Sequence, residues 1–382
     1  MQDLEEELNY LKVENMYRNI TPIFEKKEEF VVIDGVDLIN LSSNDYLGLS
    51  TNKDLVKEFC KNFQDSPDFY FSSASARLLS GNSQIYNDLE RNIAQLFNKE
   101  AALIFNTGYQ CNLGVVSALI RQGDVVFCDK LNHASIIDGM RLSKGDFYRY
   151  KHLDYEHLEE LLQKYRNKYK RAIIISESVF SMDGDTANIK SLIELKKKYN
   201  TLLMIDEAHA FCSIDDDCAG LGNSPDIDIA TVTFGKALSS FGAIAISNNI
   251  IINYLINKSR SFIYSTALPP VNVAWTNWLL TEKRDLLQTQ KNKLAQLVIK
   301  THKYLNEIGI DTVSETHIIP IVLKDPRKAE EIAQKLETKG FFVLPIRPPS
   351  VPIGTSRLRI SLTANLSMND IKRLFDIIKN EI

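Results

Sequence analysis

The chain has 382 residues, 44% of them hydrophobic, which suits one large core with a smaller one beside it and predicts a soluble globule. Its 45 basic and 49 acidic residues are interspersed and leave a formal charge of −4, which argues against nucleic acid or an anionic membrane as a partner. No apolar run approaches the ~20 residues needed to cross a bilayer, and five cysteines without CxxC spacing argue against a disulfide framework and against a zinc or other metal site.

The N-terminal stretch MQDLEEELNYLKVENMY is acidic and has no apolar signal core, so export is not expected and the cytoplasm is the expected location. Leu4, Leu8 and Leu11 predict an amphipathic helix there. Further along, short β-branched runs alternate with segments of helical period. Strands are expected at ALIF (102–105), VVFC (125–128), AIIIS (172–176), LLMID (202–206), IATVTF (229–234) and AIAIS (243–247). Their near-continuous hydrophobicity suits a mainly parallel sheet buried on both faces, as in an α/β domain. Helices are expected at 155–169 and 189–200, each polar on one side. After YSTALPP (264–270) the texture changes to a long helical stretch through about 307, then strands IIPIVL (318–323), FFVLP (341–345) and RLRISL (357–362), a helix near 326–339 and a last helix after SMND. This predicts a smaller α+β domain beginning near the Pro269-Pro270 pair.

Parallel strands present their C-terminal ends on one edge, where ligands bind. Gly108 follows ALIF and permits a tight turn into a helix whose free N–H groups face an anion. His133 follows VVFC, Glu177 and Ser181 follow AIIIS, Asp206 ends LLMID with His209 just beyond, and Thr233 ends IATVT with Lys236 just beyond. Each alone has a plain structural explanation: a turn glycine, a capping histidine, an N-cap aspartate, turn hydroxyls, an exposed helix-start lysine. Together a phosphate nest, a ring to stack, a carboxylate and an amine on one edge describe what pyridoxal phosphate requires. IDEAH (205–209) also invites reading as the Mg-binding box of an ATPase. That reading needs a GxxxxGK[ST] loop, and the only GK, Gly235-Lys236, is followed by Ala237 and has Ala230 at the first glycine position.

The segments LSSNDYLGLS (41–50), SARLLSGN (75–82), NTGYQCN (106–112), DKLNHAS (129–135), ESVFSMDGD (177–185), IDEAH, TFGKAL (233–238), YSTALPP and PPSVPIGTSRLRISL (348–362), in that order over nearly the whole chain, resemble the α-oxoamine synthases. These are fold-type I pyridoxal phosphate enzymes, homodimers that condense an amino acid with an acyl thioester and lose carbon dioxide. The resemblance implies a large domain (45–272) with a mainly parallel seven-stranded sheet, an N-terminal helix and strand segment (1–44) and a small α+β domain (273–382). It implies Lys236 as the lysine that binds the cofactor covalently, Asp206 as the partner of the ring nitrogen, His209 on the ring hydroxyl and His133 stacked on the ring. Gly108, Tyr109, Glu177, Ser181 and Thr233 would line the cofactor. Thr266 would reach the phosphate of the neighbouring subunit's site, and Arg18, Asn44, Ser350 and Arg359 would lie on the substrate side.

Within that family TFGKALSSFGA and FIYSTALPP resemble the branch that makes 8-amino-7-oxononanoate, which implies L-alanine and a pimeloyl thioester, on acyl carrier protein or coenzyme A, as substrates. A glycine-using ligase, an aminolevulinate synthase, a sphingoid-base synthase and a non-catalytic relative of the same fold stay open as alternatives. Two departures stand out. SSASAR (72–77) replaces a glycine-rich stretch, which predicts a stiffer loop with a less extreme backbone, and Cys212 stands where glycine is common. The basic stretch KYRNKYKR (164–171) could meet an acidic carrier or a coenzyme phosphate, but a solvated helix end explains it better.

Overall fold

A computed structural model of the chain describes residues 1–214 and 218–382. It divides into two compact units, one of Lys53–Phe180 with Thr186–Thr289 and one of Met1–Asn52, Ser181–Asp185 and Gln290–Ile382. The first holds a seven-stranded sheet of β1 (Ala101–Phe105), β2 (Asp124–Asp129), β3 (Asp146–Tyr150), β4 (Arg171–Glu177), β5 (Leu202–Asp206), β6 (Ile229–Thr233) and β7 (Ala243–Ser247), in the order β1-β7-β6-β5-β4-β2-β3. All six runs expected as strands in this region form, and Asp146–Tyr150 adds the edge strand. Its polar, largely exposed sequence DFYRY carries no apolar run to announce it.

Alternate residues of each strand enter two separate cores, as the two-residue period of a strand requires. Val126, Cys128, Ile173 and Ile175 pack with Val115, Leu119 and Met140 of helices Gly108–Leu119 and Ala134–Leu142. Val125, Phe127, Ala172 and Ile174 pack with Leu158, Leu162, Leu192 and Leu195 of helices Tyr155–Tyr165 and Ile189–Tyr199 on the other face. At the C-terminal edge the parallel register sets Glu177 opposite Asp206 and Asp206 opposite Thr231.

β7 alone runs against the rest, antiparallel to both β1 and β6. The cause is chain length: a parallel crossover needs a dozen or more residues, and only 234–242 join β6 to β7. That connection is pinned by Phe234 N donating to Gly242 O at 2.9 Å and Ser240 N donating to Phe234 O at 3.0 Å. Gly242, at φ +112°, has room for no side chain, since a Cβ would lie 2.6 Å from Leu268. Lys236 therefore sits in a tied loop rather than at the start of an exposed helix.

The second unit carries a four-stranded sheet (Glu25–Lys27, Phe30–Ile33, Val36–Asn40, Phe341–Phe342) and a three-stranded one (Ile318–Lys324, Ser356–Ser361, Pro345–Ile346). FFVLP, expected as one strand, is thus divided between two sheets. Phe341 and Phe342 pair with Ile39 and Asn40, while Pro345 and Ile346 pair with Leu358 and Arg357. The turn between them places Val343 inside and Leu344 outside. The long helical stretch breaks at Lys283 into Pro270–Glu282 and Arg284–Ile308. The N-terminal helix forms over Gln2–Val13 but buries no residue of its own, leaving Leu4 and Leu8 exposed.

Both departures from the glycine pattern keep a left-handed backbone: Ala74 has φ +48° and Cys212 φ +57°. The expectation of a less extreme conformation in SSASAR fails because the surroundings dictate the turn. Gly81 leaves no room beside the Ser75 carbonyl, and Arg77 is held by a bidentate pair with Glu90 and lies over the Tyr86 ring. A left-handed alanine costs about 1 kcal/mol or more, so Ala74→Gly, at an exposed position, is expected to stabilise the protein by up to about 1 kcal/mol. An unchanged or lower melting temperature would contradict this.

Glu207, fully buried, ties three segments together: it accepts from Ser178 Oγ at 2.6 Å, Leu221 N at 3.1 Å and Gly222 N at 2.6 Å. Burial outweighs these bonds and pushes its carboxyl up to about 8. Because the folded value lies above the unfolded one, the unfolded chain ionises first as pH rises; stability is full below the ordinary glutamate range and declines until the folded group titrates near 8. The thermal midpoint of the wild type relative to Glu207→Gln is expected to fall between pH 5 and 8, and parallel curves would refute the shift.

Candidate active site

Lys236, Asp206, His133, His209, Gly108, Tyr109, Glu177 and Thr233 all line one cavity of about 190 Å³ at the C-terminal edge of the sheet. Asn112, Ala208, Thr231 and Val232 complete the lining. Thr107 caps the helix that opens at Gly108, accepting from Gln110 N at 3.1 Å, so the remaining first-turn N–H groups face outward where an anion would gain from them. A wider cleft of about 430 Å³ in the same unit, lined by Asn92, Gln95, Asn223, Arg284 and Gln288 among others, brings no carboxylate to an amine and has less chemistry to offer.

Asp206, 6% exposed, has both oxygens engaged: Ala208 N donates to Oδ1 at 2.9 Å and Asn112 Nδ2 to Oδ2 at 2.6 Å. Both donors are neutral, so the carboxylate is held in place without being neutralised, which suits a cationic ring nitrogen. Lys236 Nζ and His209 Nε2 are 2.7 Å apart. His133 caps the helix Ala134–Leu142 and has Tyr109 edge-on, with ring centroids 6.3 Å apart. Its capping role and its place in the cavity are compatible. His133 lines the cavity while remaining an exposed residue. Desolvation there lowers its pKa, Asp206 pulling the other way and Lys236 adding to the lowering. Glu177, opposite Asp206 and accepting from His133 N, is pushed well above the usual carboxylate range by burial and then by the Asp206 charge.

These features fit pyridoxal phosphate: an anion-ready helix start, a held carboxylate, an imidazole with an open face and an amine. Polar residues about the site that the sequence alone did not single out include Asn112, which bonds Asp206, and Ser135 and Thr231, which each bond Asn112. Asn112 had a visible signal, a polar amide inside NTGYQCN on a helix that otherwise packs apolar residues.

The remaining expected residues fall in other groups. Arg359, 8% exposed, donates Nε to Ser181 O at 2.5 Å, Nη1 to Ser361 Oγ at 2.6 Å, and Nη2 to Asn44 Oδ1 at 3.2 Å and Tyr46 Oη at 3.4 Å. Ser181 thus contributes a carbonyl in the second unit and does not line the cavity described above. Arg18 Nη2 donates to Ser350 Oγ and Pro348 O, both at 3.3 Å. Thr266 bridges Ala76 and accepts from Asn106 Nδ2 at 2.8 Å, lining a separate small cavity with Arg77. In KYRNKYKR, Arg166 is spent on the Tyr169, Tyr199 and Asn200 carbonyls and Arg171 on Asp124, as a structural helix end would be.

The profile of the aminotransferase class I and II family matches residues 36–378. The chain is 40% identical over 372 residues to an 8-amino-7-oxononanoate synthase of Chlorobaculum parvum, covering 95% of this chain and 94% of that one. It is 45% identical over 364 residues to a Glaesserella parasuis protein given the same name provisionally, covering 92% and 94%. Among solved structures, a serine palmitoyltransferase of S. paucimobilis holding a pyridoxal phosphate–myriocin adduct superposes with a TM-score of 0.87 at 25% identity, covering 99% and 96%. An 8-amino-7-oxononanoate synthase of Francisella tularensis superposes with a TM-score of 0.75 at 27% identity, covering 90% and 97%. The chain belongs to the class I and II aminotransferase family and, within it, to the α-oxoamine synthases, pyridoxal phosphate enzymes of fold type I.

Proposed function

We propose that the chain condenses L-alanine with a pimeloyl thioester, carried on acyl carrier protein or coenzyme A, to give 8-amino-7-oxononanoate, the free thiol and carbon dioxide, a step of biotin synthesis in the cytoplasm. The observation that carries this reading is the near full-length identity to proteins of that name, well above the identity to the serine palmitoyltransferase of like fold. Among the described residues no helix is long and apolar enough to cross a membrane.

Pyridoxal phosphate, when bound, supplies a cationic ring that takes up the negative charge left at the amino acid α-carbon. Asp206 keeps a negative charge at the ring nitrogen, and its two neutral donors leave that charge available to it. Lys236 would hold the cofactor covalently, and its amine is the group in the cavity that could move a proton at the amino acid α-carbon. His209, which meets the Lys236 amine at 2.7 Å in the cofactor-free chain, would serve the ring hydroxyl of the bound cofactor. His133 would stack on the ring, Glu177 fixes the His133 backbone, and Gly108, Tyr109 and Thr233 would line the cofactor. Arg359 serves the amino acid carboxylate by a bidentate pair, with Asn44 and Ser181 setting its orientation, and Arg18 and Ser350 stand on the acyl side. Two copies form the working enzyme, Thr266 of one reaching the phosphate held by the other.

Borohydride reduction of the holoenzyme followed by peptide mapping is expected to place the pyridoxyl group on Lys236; an adduct on another lysine would remove the assignment. In an assay of carbon dioxide release with alanine or glycine against acetyl, succinyl, palmitoyl and pimeloyl thioesters, the pimeloyl donor is expected to dominate. Glycine is expected to be only a poorer amino acid, since one methyl group is worth about 1–3 kcal/mol. Preference for glycine with acetyl-coenzyme A would move the chain to the ligase branch.

A further inference from the structure

Asn112 is 3% exposed and lies on the helix Gly108–Leu119 one turn below its start. A buried amide is costly unless its polar atoms are engaged, and here three bonds are made. Thr231 Oγ1 donates to Oδ1 at 2.9 Å, and Nδ2 donates to Asp206 Oδ2 at 2.6 Å and to Ser135 Oγ at 3.1 Å. The orientation of the amide is thereby settled, because the reverse would set its oxygen against the carboxylate. Since Ser135 Oγ accepts from Asn112, its single proton is free for His133 Nδ1, 2.8 Å away. Ser135 N also points at that atom, at 3.2 Å. Two donors on Nδ1 leave no place for a proton there, so the imidazole proton belongs on Nε2.

We propose that Asn112 is a positioning residue that holds Asp206 and His133 as one unit, orienting the carboxylate directly and, through Ser135, keeping the imidazole neutral with its proton on Nε2. The charged and titratable groups facing the pair are Glu177, Lys236, His209 and Tyr109. Desolvation of His133 and the Lys236 charge favour the same neutral form. The chemical gain is that a neutral ring, rather than a second cation, lies against a cationic cofactor while the negative charge stays at the nitrogen. This rests on the proposed reading for its use, though the network itself is independent of it.

The test uses the full chain with and without pyridoxal phosphate. In the cofactor-free protein, nitrogen-15 shifts of the histidine rings are expected to show His133 as the Nε2–H form. Ser135→Ala, which removes the hydroxyl donor but keeps the Ser135 N donor, is expected to weaken that preference measurably while keeping cofactor affinity within a few-fold. Asn112→Asp, isosteric but lacking the donor, is expected to lose both the tautomer and about tenfold or more in affinity for pyridoxal phosphate, as for a lost bond to a buried charge. It should also move the pH midpoint of cofactor absorbance. Should Asn112→Asp fail to fold, Ser135→Ala with the tautomer measurement decides alone. An Nδ1–H or cationic His133 in the wild type, or an Asn112→Asp variant that loses melting temperature but keeps tautomer, affinity and pH midpoint, would overturn the proposal. A wild type that binds no pyridoxal phosphate but shows the Nε2–H form would defeat the functional reading and leave the network standing.

Discussion

The arrangement depends on keeping a negative charge at Asp206 at the buried edge of a sheet. Burial opposes that charge, and the chain answers with donors rather than with a cation: the Ala208 amide from its own turn and the Asn112 amide from the helix above. Neutral donors stabilise an anion by a fraction of what an arginine would, and leave its field unspent. The neighbouring carboxylates show the alternative outcomes. Glu177, one strand away, is driven toward its neutral form by burial and by Asp206 itself. Glu207, next in sequence, points to the other side and spends its acceptors on Ser178, Leu221 and Gly222. Three acids at the C-terminal ends of two neighbouring strands thereby take three roles, set by what each faces.

Much of this was legible in the sequence because parallel strands expose their chemistry at one end. Once LLMID is a buried strand, Asp206 must lie at its tip, and the same holds for Glu177 and Thr233. The two cores follow from the same alternation, since neighbouring apolar residues such as Val125 and Val126 must face opposite ways. The groups with clear chemistry reach one cavity for that reason.

What was hidden depended on contacts between distant segments. DFYRY reads as a polar loop, and only the partner β2 turns it into a strand. FFVLP reads as one strand because composition cannot reveal that its halves find different sheets. SSASAR reads as a relaxed replacement for a glycine-rich stretch, yet Ala74 within it keeps a left-handed backbone. Ser135 and Thr231 are ordinary hydroxyls in sequence, and they acquire a role only when three elements bring them to one amide.

The reversed strand β7 has a wider consequence. Ala243 pairs with Phe105 on one side and Thr233 on the other, so a single strand gauges both the start of the helix at Gly108 and the root of the loop that carries Lys236. A one-residue slip of such a strand turns every side chain to the opposite face. The spacing between the helix start at Gly108 and the Lys236 amine is therefore under the control of one short ruler. Most surface loops can lengthen at little cost, but an insertion in residues 234–242 would set the root of the Lys236 loop against this pairing.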